Sequence, residues 1–189
     1  MRKKKLLYFV TEDWYFFSHR LPLALEAKKR GYDVVLMTRV RNHGKLIEDS
    51  GIRIINLDMD RHGKNPLREI LTLYRIFNIY KEEQPDILHH IALKPVLYGT
   101  LCGILTNTDL LVNTFPGMGY LFESDKTAHR VYKNIILMIL RILFINKSAS
   151  VIVQNKETYE IFQKNHILDK SRLYLIRGSG IDFLWIQKY

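Results

Sequence analysis

The chain has 189 residues, enough for one domain with a self-sufficient core, and its 47 % hydrophobic and 12 % aromatic content excludes a disordered segment. A single cysteine, Cys102, excludes an internal disulfide and reads as a small buried residue in a reducing compartment. The net charge of +10 requires an acidic partner, for which nucleic acid, anionic lipid and phosphorylated small molecules all qualify.

The basic lead-in Arg2–Lys5 precedes an apolar run too short for a secretory h-region, which takes roughly 7–15 residues. Leu6–Val10 is instead a first strand, apolar throughout, as strands buried on both faces are. A loop is predicted over Thr11–Phe16, then one helix over Phe17–Arg30 with Ser18 as its N-cap and Gly31 as its stop. Strands follow at Asp33–Thr38 and Ile52–Leu57, with a short helix over His43–Ser50 between them. Asn65-Pro66 opens a helix that ends near Glu83, with Leu67, Ile70, Leu71, Tyr74 and Phe77 as its expected buried stripe. The remaining strands are Asp86–His90, Leu110–Asn113, Ala149–Gln154 and Arg172–Ile176. Helices over Lys94–Leu105, Lys126–Asn146 and Lys156–Lys164 separate them. This alternation predicts an α/β, Rossmann-like, doubly wound parallel sheet of about seven strands. Residues 1–177 form that domain, and 178–189 read as the start of an interdomain linker.

The loops lack the usual nucleotide signatures. No G-x-G-x-x-G follows the first strand, and neither a P-loop nor a G-x-S-x-G elbow occurs. Ligands of such sheets bind at the carboxyl edge of the strands. His89 and His90 are adjacent on a strand and point to opposite faces, so they cannot chelate one metal, and no metal site is expected. His90, at the strand end, is the candidate ligand donor, with Lys94 adding charge at the next helix start. His19 and Arg20 fall in the predicted first turn of the first helix, where cations are unfavourable and an anionic ligand would compensate. Val112–Phe122 ends a strand in a Pro-Gly-x-Gly loop, so Gly117 and Gly119 let backbone approach a ligand beside the flat ring of Tyr120. Along the long helix, Lys126, Arg130, Lys133, Arg141 and Lys147 fall within a sector of about 120°. Leu137, Leu140 and Phe144 share that face, and Ile135, Ile139 and Ile142 lie opposite. The helix is too short and too charged to span a bilayer, which takes about 20 apolar residues, and its pattern suits docking on an anionic membrane surface.

Five stretches carry a family resemblance in order along nearly the whole chain: FFSHRLPLALEAKKRGYDV (Phe16–Val34), HHIALKPVLYG (His89–Gly99), NTFPGMGYLF (Asn113–Phe122), VIVQN (Val151–Asn155) and IRGSGID (Ile176–Asp182). The pattern resembles the N-terminal half of a family 4 glycosyltransferase, a retaining enzyme of the two-domain GT-B type. Its nearest counterparts are the bacterial enzymes that build capsule, lipopolysaccharide or lipid-linked oligosaccharides. The resemblance implies an acceptor-binding domain that faces a second domain holding a nucleotide sugar. That donor is a co-substrate, and no other cofactor is implied. Transfer of a hexosyl or N-acetylhexosaminyl group to a lipid-linked or polysaccharide acceptor follows, at the cytoplasmic side of the cell membrane. Ser18, His19, Arg20, His90, Lys94, Gly117, Gly119 and Tyr120 would then face the cleft. Two departures stand out. Asp13-Trp14-Tyr15-Phe16 replaces the glycine-rich loop of many relatives, and the sequence stops at the expected linker. The expectation is a truncated or split product that transfers no sugar alone and needs a separately encoded donor domain. The competing readings are a non-catalytic acceptor- or membrane-binding remnant and a nucleic-acid-binding protein. The second lacks any helix-turn-helix, RRM or KH pattern, so no nucleic acid is expected.

Overall fold

The computed structural model describes residues 2–59, 65–118 and 127–178. Seven strands form one all-parallel sheet: β1 (Lys5–Glu12), β2 (Asp33–Arg39), β3 (Arg53–Asn56), β4 (Ile87–Ile91), β5 (Leu110–Phe115), β6 (Ala149–Val153) and β7 (Leu173–Leu175). Their order is β3-β2-β1-β4-β5-β6-β7, with β1 centred between β2 and β4 through registers such as Tyr8↔Leu36 and Tyr8↔His89. The order reverses between β1 and β4, so the carboxyl ends of these two strands flank the topological switch point.

Alternation along β1 builds two cores. Leu6, Tyr8 and Val10 point to the face covered by α1 (Asp13–His19), α2 (Leu21–Lys29) and α3 (Gly44–Asp49), where Phe16, Leu21, Ala24 and Ile47 meet them. Leu7 and Phe9 point to the other face, under α4 (Pro66–Glu83), α5 (Leu93–Leu105), α6 (Thr127–Phe144) and α7 (Lys156–Lys164). Cys102 is buried in that second core. The Asn65 side chain caps α4 by accepting from Leu67 N and Arg68 N, with Pro66 at the first helical position. Gly31 ends α2 at φ +92° and Gly51 ends α3 at φ +82°, backbone that glycine adopts without strain.

Four expectations are corrected. The loop predicted at Thr11–Phe16 is the end of β1 followed at once by α1, and the single helix over Phe17–Arg30 is two helices broken at Arg20. Pro22 explains the break: it sits in the first turn of α2, where its missing N–H costs nothing. The α4 stripe is mostly turned outward: Leu67 is 73 % exposed and Ile70, Leu71 and Tyr74 are also exposed, whereas Phe77 of that stripe packs against the core, where Ile76 and Tyr80 are buried. On α6, Leu137, Leu140 and Phe144 face the core and Ile135 and Ile142 face outward, so the apolar residues of the sector read as the docking face turn inward. Lys133 is half-buried, whereas Arg130, Arg141 and Lys147 are exposed; Arg141 Nε donates to Asn165 O at 2.7 Å. Lys126 lies outside the described residues. Both helices are apolar on two opposite sides, so periodicity alone could not tell which side the sheet takes.

Candidate functional site at the carboxyl edge

The carboxyl ends of β1, β4 and β5 bring most of the predicted site residues to one edge, in roles that differ from expectation. Ser18 is exposed in the last turn of α1, not at a helix start, and its hydroxyl donates to Trp14 O at 2.8 Å. His19 closes α1 and stacks on Tyr15 with ring centroids 4.5 Å apart. Trp14, half exposed, lies edge-on to Tyr15 and His19 at 5.7 and 6.3 Å. The departure from a glycine-rich loop therefore places an aromatic cluster beside the edge, the kind of surface on which an apolar sugar face packs.

Asp13 anchors this turn. Its Oδ2 accepts from Arg41 N at 2.7 Å and His43 N at 2.9 Å, tying the loop after β2 to the start of α1. Glu12 pairs with Arg39 and lies 3.4 Å from Arg41 Nε. Arg20 occupies the break between α1 and α2. It is only 6 % exposed, and its Nε and Nη2 are buried without a hydrogen-bond partner.

His90 is corrected as a surface donor. It has no exposed surface, with Nδ1 2.9 Å from Asn113 Oδ1 and Nε2 3.1 Å from Tyr80 Oη. Asn113 Oδ1 also accepts from Thr100 Oγ1 at 2.7 Å, and Asn113 Nδ2 donates to Ser150 O at 3.4 Å. These contacts assign the proton to His90 Nδ1, with the Nε2 lone pair accepting from Tyr80. Burial pushes the imidazole down to about 4, opposed by the bond to Asn113, so it stays neutral. His89 points to the opposite face, 2.8 Å from Thr114 Oγ1 and 5.0 Å from the Tyr8 ring. Burial first, then the charge of Arg20, brings it down to about 3.

Lys94 does not stand free for an anion: it pairs with Glu69 Oε1 at 2.9 Å and lies over the Tyr98 ring at 5.5 Å. Tyr98 donates to the other Glu69 oxygen at 2.8 Å, and burial with that carboxylate pushes its phenol up. Gly117 is exposed at the end of β5, and an added Cβ would lie 3.9 Å from Asn155 Nδ2, so the space there admits a side chain. Gly119 and Tyr120 lie outside the described residues. Among the described residues no group of three or more His, Cys, Asp or Glu side chains is placed to hold a metal ion.

Ala92, between β4 and α5, has φ 79° and ψ 163°, a conformation populated almost solely by glycine. It is held there by its N–H to Thr114 O at 3.0 Å and by its carbonyl, which accepts from Val96 N at 3.0 Å. Relief of that strain, about 1–3 kcal/mol, outweighs the flexibility that glycine adds to the unfolded chain. Ala92→Gly is expected to raise stability by about 1 kcal/mol in urea denaturation. A loss of stability would show that the methyl packs more than it strains.

A family model described as glycosyl transferase 4-like matches residues 5–155, most of the sheet and the whole of this edge. The chain belongs to the glycosyl transferase 4-like family. Solved structures share its fold. A glycosyltransferase from Rickettsia africae aligns over 100 % of this chain and 48 % of its own, at 18 % identity and TM-score 0.66. Sucrose-phosphate synthase of Thermosynechococcus elongatus aligns over 93 % and 48 %, at 16 % identity and TM-score 0.60. MurG of Acinetobacter baumannii aligns over 95 % and 46 %, at 12 % identity and TM-score 0.59. The chain thus spans about half the length of these proteins and corresponds to one half of a GT-B glycosyltransferase. No curated protein matches the sequence. For this glycosyl transferase 4-like domain the carboxyl edge, with Trp14, Tyr15, His19 and Arg20, is the candidate site. Sequence reasoning missed Trp14 and Tyr15 as members of it. The pairing of an aromatic turn with a strand end was the available signal.

Proposed function

We propose that this domain is the acceptor side of a retaining glycosyltransferase of cell-surface glycan synthesis, working on a lipid-linked or polysaccharide acceptor at the inner face of the cell membrane. A facing domain would hold the nucleotide sugar and release its hexosyl or N-acetylhexosaminyl group, as in assembly of capsule or lipopolysaccharide. Family membership supports the reaction class, and the aromatic turn supports a sugar at the edge.

The observation that carries the membrane reading is the outer surface of α4, α5 and α6. On α6, Val131, Ile135, Met138 and Ile142 are exposed at alternating spacings of four and three, and Ile145, just past the helix, is 75 % exposed. Leu101 and Leu105 on α5, and Leu67, Ile70, Leu71 and Tyr74 on α4, are exposed on neighbouring helices packed side by side. Neither α5 nor α6 carries an acidic residue, and exposed Arg68, Arg75, Arg130 and Arg141 lie on α4 and α6. An apolar plate with arginines and no α5 or α6 carboxylates fits an anionic lipid surface, with the apolar side chains in the headgroup boundary. Among the described residues no helix is long and apolar enough to cross a membrane. Docking on the surface is the corresponding mode.

Co-sedimentation with vesicles tests this. Vesicles containing phosphatidylglycerol are expected to retain the chain at least tenfold better than phosphatidylcholine alone, a ratio of the size that several arginines near an anionic surface generate. Ile135→Glu with Ile142→Glu is expected to abolish retention. Equal retention by both vesicle types, or no effect of the double substitution, would remove the membrane from the proposal.

A further inference from the structure

Arg20 carries a full charge into the protein interior, and among the described residues no carboxylate pairs with it. A buried cation left alone is strongly unfavourable, so such groups are paired or serve a ligand. Asp13 Oδ1 is also buried without a hydrogen-bond partner, but Asp13 opens α1 and Arg20 follows its last residue. Arg20 N donates to Phe16 O at 2.8 Å, Phe16 packs edge-on against Tyr8 of β1 at 5.5 Å, and Tyr8 lies 5.0 Å from the His89 ring of β4. Burial pushes the Tyr8 phenol up to about 12 and the His89 imidazole down to about 3. Thr114 of β5 stands 2.8 Å beyond His89. None of Tyr8, His89 and Thr114 supplies a negative charge at neutral pH. Asp13, the acid of α1, directs Oδ2 to the amides of Arg41 and His43.

The position of the charge matters as much as its isolation. Tyr8 and His89 pair across β1 and β4, the two strands between which the sheet order reverses. A crevice outside that reversal is where an open parallel sheet takes its ligand. We propose that Arg20, backed by His89 and Thr114, is the receptor for a diphosphate group at this switch point. This deepens the transferase reading and rests on it for the source of that group: the lipid-linked acceptor or the sugar nucleotide. A guanidinium fork suits it, since two phosphate oxygens accept from parallel N–H groups. Binding would supply the missing counter-charge and so stabilise the fold.

Thermal unfolding of the full chain with inorganic pyrophosphate, farnesyl diphosphate or UDP tests this directly. At a hundredfold excess over its dissociation constant, pyrophosphate is expected to raise the wild-type midpoint by roughly 5–10 °C. Arg20→Met is expected to lose that shift while keeping a midpoint in buffer at or above wild type, because it removes an uncompensated buried charge. Arg20→Lys, which keeps the charge but not the fork, is expected to bind about tenfold more weakly. No shift in wild type with any of the three ligands, or an undiminished shift in both variants, overturns the site. Tighter binding of farnesyl diphosphate than of UDP supports the acceptor as source. The reverse order keeps the site and overturns the acceptor assignment of the transferase reading. Vesicle binding, which reads a different surface, is expected to be unchanged in both variants.

Discussion

Gly99→Ala is expected to destabilise the domain by about 2–3 kcal/mol, a large loss for a single methyl group. Gly99 is buried on α5 against the flat side of His90, and a Cβ there would lie 2.5 Å from Nε2 and 2.9 Å from Cγ of that ring. The ring has no easy retreat. Asn113 holds one nitrogen and Tyr80 the other, and Phe9 lies edge-on at 6.3 Å. Moving it strands buried donors and acceptors that cost about 1–3 kcal/mol each when unpaired. The helix itself favours alanine by up to about 1 kcal/mol, which offsets part of the clash. Gly103→Ala supplies the contrast: its Cβ meets only the ends of Leu111 and Leu88, at 2.7 and 2.9 Å, which can turn aside. That variant is expected near wild type. Urea denaturation of the two side by side separates the cases, and a Gly99→Ala protein as stable as Gly103→Ala would mean the His90 network is loose.

The same network shows where sequence reading reached and where it stopped. All seven strands were legible because parallel strands buried on both faces are unbroken apolar runs, as in Leu6–Val10 and Asp33–Thr38. The Asn65-Pro66 start and the Gly31 stop were legible because their chemistry is local. Partners distant in sequence were not. Lys94 looked free because Glu69 stands 25 residues away, and His90 looked available because Tyr80 and Asn113 approach it from other elements. The break at Arg20 had a readable signal in Pro22, which does not belong inside a helix. The outward faces of α4 and α6 had none, since either apolar side satisfies the helical period.

Acidification is expected to cost the domain about 3–4 kcal/mol between pH 7 and pH 5, with the two buried histidines as the cause. Both carry folded values below the ordinary 6.5, about 3 for His89 and about 4 for His90. As pH falls through 6.5 the unfolded chain takes up protons at these two positions and the folded chain does not. Their contribution is therefore complete above about pH 7 and drains away as pH drops toward 4 and then 3. At pH 5 each has lost about 2 kcal/mol, from the proton affinity of the unfolded imidazole alone. Glu83, held down to about 2 first by its bond to Arg53, adds to the loss only below its ordinary value of 4.5, so it does not confuse the upper window. Urea midpoints at pH 7 and 5 check the size, and Gln substitutions check the assignment. His89→Gln and His90→Gln are each expected to lower stability at pH 7 and to halve its fall between the two pH values. A wild-type protein equally stable at both would mean that acid opens these positions to solvent without unfolding the sheet. In that event the switch-point wall formed by β1 and β4 would be soft, and a diphosphate bound at Arg20 would meet a charged His89 beside it rather than a neutral one.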